Sequence, residues 1–61
     1  MKTKEIIKLI EDDGWVMARQ RGSHIQFKHP KKKGAVTIPY HANKDVPQWL
    51  ESSILKQAGL K

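Results

Sequence analysis

The stretch Ser23–His29, S-H-I-Q-F-K-H, alternates from residue to residue. Ile25 and Phe27 point one way, while His24, Gln26 and Lys28 point the other. A strand with this pattern buries one face and wets the other, so the chain must contain a sheet covered on a single side. Two further segments fit beside it. W-V-M-A-R-Q, from Trp15, is short and half-apolar and reads as a first strand. A-V-T-I-P, from Ala35, places Val36 and Ile38 on the buried face and is closed by Pro39. The intervening P-K-K-K-G is a loop bounded by Pro30 and Gly34.

The cover is helical. Over residues 3–13, Ile6, Leu9 and Ile10 fall at i, i+3 and i+4, and Ile7 widens the stripe. Thr3 is a candidate N-cap, and Gly14 can take the left-handed position that stops the helix. Near the other end, Pro47 suits a first helical turn. Val46, Leu50, Ile54 and Ala58 recur every fourth residue, with Trp49 and Leu55 beside them and Gly59 as the stop. The order is helix, three strands, helix. The expected fold is a single α+β domain over residues 1–61: a small α-β-β-β-α unit with a three-stranded antiparallel sheet and two helices on one face. This arrangement resembles the double-stranded-RNA-binding domain in miniature.

A chain of 61 residues buries only about 60% of the surface it exposes when unfolded, so the core must be small. It contains no cysteine, which excludes a disulfide framework and thiolate metal sites. Apolar runs are far shorter than the roughly 20 residues that span a bilayer, so no membrane role is expected. No apolar signal region follows M-K-T-K-E-I-I, and a cytoplasmic protein is the expectation.

Charge narrows the partners. The formal net charge is +6, from 12 Lys and Arg against 6 Asp and Glu. Glu5, Glu11, Asp12 and Asp13 lie in the first 13 residues, whereas Gly14–Lys44 holds seven basic residues and no acid. Lysine can simply keep a small protein soluble, but a segregated field of one sign favours a polyanion, whose condensed counterions are released on binding.

His24 lies on the polar strand face with Gln26 and Lys28, and Arg19, Arg21 and Lys28 flank it within a few residues of sequence. An imidazole, with an ordinary pKa near 6.5, accepts a proton at neutral pH. On RNA such a group can deprotonate the 2′-OH, which then attacks the adjacent phosphorus without needing a metal. Gly22 lets backbone N–H groups approach a phosphate and Ser23 adds a hydroxyl, although both also suit a simple turn. Lys31, Lys32 and Lys33 are either a solvated turn or a phosphate-contacting loop. His29 and His41 are possible auxiliary groups. A metal site is not expected: His24 and His29 are an odd number of residues apart, and no acid lies in the middle segment to complete one.

Several short motifs occur in order: G-W at Gly14–Trp15, R-Q-R-G-S-H at Arg19–His24 followed by I-Q-F-K-H-P, I-P-Y-H at Ile38–His41, and I-L-K-Q-A-G-L at Ile54–Leu60. Together they resemble the HicA toxins, also described as the YcfA-like family, of type II toxin–antitoxin systems, over nearly the whole chain. The resemblance implies a metal-independent mRNA interferase, with no cofactor, that arrests growth by blocking translation. It also implies a HicB-type antitoxin as partner in a hetero-oligomer. The family's catalytic histidine follows Gly-Ser, which maps onto His24. The segment P-Q-W-L-E-S-S departs from the basic or small residues common there, and Glu51 weakens a role for that helix in contacting RNA. Two other classes of function fit the residues alone: a non-catalytic RNA-binding module, and a protein-interaction module.

Overall fold

The computed structural model describes residues 1–40 and 45–61. Five elements follow one another: α1 (Thr3–Asp12), β1 (Val16–Arg21), β2 (His24–Lys28), β3 (Ala35–Pro39) and α2 (Gln48–Gln57). The strands form one antiparallel sheet in the order β1-β2-β3, so the expected α-β-β-β-α architecture is the one observed. Among the described residues, no helix is long and apolar enough to cross a membrane.

Both helices end in the same way. After α1, the Gly14 N–H donates to the Glu11 carbonyl (2.9 Å) and the Trp15 N–H to the Ile10 carbonyl (3.1 Å). After α2, the Gly59 N–H donates to Lys56 (3.1 Å) and the Leu60 N–H to Leu55 (2.8 Å). This paired bonding is the Schellman arrangement, which satisfies carbonyls that the last helical turn leaves open and needs a left-handed residue. Gly14 (φ 107°) and Gly59 (φ 74°) supply it. The start of α1 differs from the sequence expectation. Lys2, not Thr3, is the N-cap of α1, and its N–H donates to Glu5 Oε1 at 2.9 Å. Thr3 shares a helical stripe with Ile6 and Ile10 and is buried instead, while Leu9 drifts to the stripe's exposed edge.

Between helices and sheet lies one apolar core. Ile6 and Ile10 come from α1, Ile25, Phe27, Val36 and Ile38 from the sheet, and Ile54 from α2. Trp15, Val46 and Ala58 complete it, with Ile7, Tyr40 and Leu50 packed at its margin. Full burial of side chains such as these stabilises by about 1.5–3 kcal/mol each, before conformational entropy is subtracted. Trp15 precedes β1 and is core; its indole N–H donates to the Ala58 carbonyl at 3.2 Å, joining the ends of the two helices. Trp49, expected beside the α2 stripe, lies 72% exposed.

The register carries one irregularity that matters for function. Val16 pairs with Lys28 and Met17 with Phe27, but the next pair is Arg19 with Gln26, leaving Ala18 as a bulge. A single inserted residue reverses which side chains face which side of the sheet beyond it. Without the bulge, Arg19 and Arg21 would share the core side with Met17; with it, both stand on the open side. Every residue of β1 is exposed. At the other edge, α2 covers β3, where the Thr37 N–H donates to Gln57 Oε1 at 3.5 Å.

Candidate active site

β1 and β2 are joined by the two residues Gly22 and Ser23. Gly22 has φ 60° and no non-glycine residue has positive φ among the described residues, the pattern of a type II′ hairpin turn. The space around Gly22 is open, so its conformation, not a close neighbour, demands glycine. The turn places Arg21 directly opposite His24, with Arg19 opposite Gln26 in the next pair on the same face. Thr37 of β3 pairs with Gln26 on its other side. Arg19, Arg21, His24, Gln26 and Thr37 line an open depression of about 280 Å³.

Among the described residues, nothing in the fold consumes these charged groups. His24, Arg19 and Arg21 are exposed, and among the described residues their side chains have no hydrogen-bond or ion-pair partner. No carboxylate lines the depression among the described residues. An imidazole with both nitrogens free, set among cations, can bind a phosphate and exchange a proton with a hydroxyl beside it. Lys28 lies on the same face one pair further along, opposite Val16 and Ala35. Among the described residues no three His, Asp or Glu side chains gather as a metal site would require.

Sequence reasoning does not single out Gln26 and Thr37 as site residues. The signal for Gln26 is its place two residues after His24, and Thr37 is the polar residue between buried Val36 and Ile38. Only strand register brings the pair together.

The remaining candidates lie elsewhere. His29 follows β2 at the end away from His24, and its side chain is 8% exposed. Its Nδ1 accepts the Lys31 and Lys32 backbone N–H groups at 3.0 and 3.1 Å. That leaves the proton on Nε2, which donates to the Asp13 carbonyl at 2.8 Å. The ring also meets Trp15 edge-on, centroids 5.2 Å apart. Lys32 is similarly engaged: its ammonium donates to Asp13 Oδ2 at 2.5 Å and to the Ala58 carbonyl at 3.1 Å. The Lys32 hydrogen bond holds the Asp13 carboxyl below its ordinary range, against the opposing effect of partial desolvation. Lys31 and Lys33 remain exposed on the same loop. His41 lies outside the described residues.

The fold and this face define a class: a small basic α+β domain whose open sheet presents exposed arginines and an imidazole. Comparison with known proteins makes the class specific. The family model for the HicA toxin of bacterial toxin-antitoxin systems matches residues 3–60. Among solved structures, a chain of a toxin-antitoxin complex from Streptococcus pneumoniae is 34% identical, with 98% of each chain covered and a TM-score of 0.81. No curated protein sequence matches. The chain belongs to the HicA toxin family, as its ordered motifs implied.

Proposed function

We propose that this chain is a ribonuclease toxin that cleaves mRNA in the cytoplasm and so blocks translation, with His24 as the general base or acid. The supporting observation is His24 opposite Arg21, without a side-chain partner among the described residues, in an open depression that holds a second arginine and, among the described residues, no carboxylate. His24 takes the proton of a ribose 2′-OH, and the freed oxygen attacks the adjacent phosphorus. A 2′,3′-cyclic phosphate forms as the P–O5′ bond breaks, and the 5′-oxygen leaves as a hydroxyl after receiving a proton from water. Arg19 and Arg21 stabilise the charge growing on the phosphoryl oxygens. Gly22 and Ser23 contact the scissile phosphate from the turn. Lys28, Lys31 and Lys33 add attraction for the RNA backbone. No protein ligand set for a metal enters this route. A HicB-type antitoxin is the partner, in a hetero-oligomer, supported by family membership and by the complex in which the similar pneumococcal chain occurs.

One observation favours a non-catalytic RNA-binding module: no second acid–base group lines the depression among the described residues. Salt-sensitive RNA binding is common to both readings. Induction of wild type and His24→Ala in a host, with growth and mRNA length followed, separates them. Shortened transcripts and arrest with wild type alone support the nuclease; identical behaviour of the two removes His24 from catalysis. Retained cleavage in excess EDTA supports the metal-free route.

A further inference from the structure

α2 carries a surface that neither the core nor the sheet site uses. Trp49, Ser52, Ser53 and Lys56 fall at i, i+3, i+4 and i+7 and form one stripe on the helix. Together with Lys61 they line a depression of about 440 Å³. Lys61 folds back over it, its ammonium donating to Ser52 Oγ at 2.7 Å. Trp49 is the most exposed large apolar side chain among the described residues. The nearby acid does not oppose an anion here. Glu51 sits two positions from Trp49, off the stripe, and its Oε2 lies 3.6 Å from the N-terminal ammonium.

This depression is connected to the His24 site. Thr37 lines the sheet depression, and its N–H reaches Gln57 Oε1 at 3.5 Å. The Gln57 amide donates to Ser53 Oγ at 3.4 Å, and Ser53 lines the α2 depression. Two hydrogen bonds across the β3 edge therefore separate the surfaces. No Asp or Glu side chain lines either one among the described residues. An aromatic face flanked by ammonium groups and small hydroxyls, continuous with an arginine-lined site, has the chemistry that takes single-stranded nucleic acid: a base stacks on the ring and cations track the phosphates.

We infer that the Trp49–Lys56 face of α2 is a second binding site for single-stranded RNA, which stacks a base on Trp49 after the strand has crossed the β3 edge from the His24 depression. The inference rests on RNA being the ligand of the sheet site. It makes the protein a reader of strand length as well as of the scissile step, because only RNA long enough to reach α2 gains the second contact.

The chain contains its own reporter. Trp15 is 1% exposed and hydrogen-bonded inside the core, so quenching of tryptophan emission by added RNA reads Trp49. Unstructured oligouridines of about four and about twelve nucleotides, spanning the range of known single-strand site sizes, are titrated into His24→Ala protein at low salt. The longer strand is expected to quench emission and bind more tightly. Adding Trp49→Ala should weaken the longer strand about tenfold, the scale of one base stack, and leave the shorter one unchanged. Trp49→Phe should restore most of the affinity without the quench. Equal affinity of Trp49→Ala and its parent for the longer strand overturns the inference while leaving the His24 reading intact. Failure of both RNAs to bind overturns the RNA reading itself and this site with it. Loss of antitoxin binding in Trp49→Ala, with RNA binding unaffected, assigns the face to a protein and also overturns the inference.

Discussion

His24 and His29 stand at the two ends of one short strand, in opposite surroundings. His24 is exposed, and no described residue occupies its ring nitrogens. His29 is nearly buried, with three hydrogen bonds on its two nitrogens and Trp15 against its ring. A histidine whose nitrogens both hold backbone groups cannot exchange protons without breaking the structure it supports. One whose nitrogens are free costs the fold nothing and is available to a substrate. The comparison shows that residue type does not assign a role; what the surrounding backbone asks of the side chain does.

The largest effect that can break this comparison is on catalysis. His24→Ala is expected to lower RNA cleavage about 10²–10⁴-fold, with a melting curve within about 0.5 kcal/mol of wild type. His29→Ala should do the reverse. It leaves the Asp13 carbonyl and two loop N–H groups without their partner and should cost about 2–3 kcal/mol. That is a large share of the roughly 3–9 kcal/mol available to a chain of this length. Cleavage per folded molecule should persist; lost cleavage with an unchanged urea midpoint would place His29 in the site and end the contrast.

Gly14→Ala sharpens the structural side. A Cβ there would lie 2.7 Å from His29 Nε2, on a backbone at φ 107° that other residues resist. The expected loss is about 2 kcal/mol, read from urea unfolding. On the other side, Arg19→Ala or Arg21→Ala should weaken RNA binding and shallow the log–log salt slope by about 0.7 for each phosphate no longer neutralised. Stability should not change.

The smallest effect concerns acid. The Asp13 carboxyl is held below its ordinary range, so its contribution to stability is present above the ordinary carboxylate pKa near 4. It is lost as pH falls through the lower folded value. Asp13→Asn should therefore flatten the acid limb of urea midpoints measured from about pH 5 to pH 2. An unchanged limb would show that the Lys32–Asp13 pair is not felt by the fold.

Much of the fold is legible in the sequence because its signals are local. The alternation of Ile25 and Phe27 gives β2 its faces, Val36 and Ile38 give β3 the same orientation, and Gly14 and Gly59 mark both helix ends. The position of His24 on the polar face follows from that alternation alone. The Ala18 bulge is not legible, because V-M-A-R-Q-R has no apolar alternation for an inserted residue to interrupt. The facing of Arg19 and Arg21 toward His24 depends on it. Lys32 looks like its neighbours in a run of three lysines; only tertiary folding brings Asp13 and Ala58, 19 and 26 positions away, to its ammonium. Thr3 misleads for a related reason: its capping chemistry is local, but its helical phase with Ile6 and Ile10 buries it.

The ends of both helices, the Trp15 indole, His29 and Lys32 meet in one place, joined by bonds to Asp13 and Ala58. The Arg19–His24 hairpin contributes no side chain to that junction. If His24 acts as proposed, toxicity and foldedness are mutationally separable in this chain. Under that proposal a substitution at the hairpin tip leaves an intact, inert protein, and inactivated copies should carry their changes between Arg19 and His24 and keep their Trp15 junction.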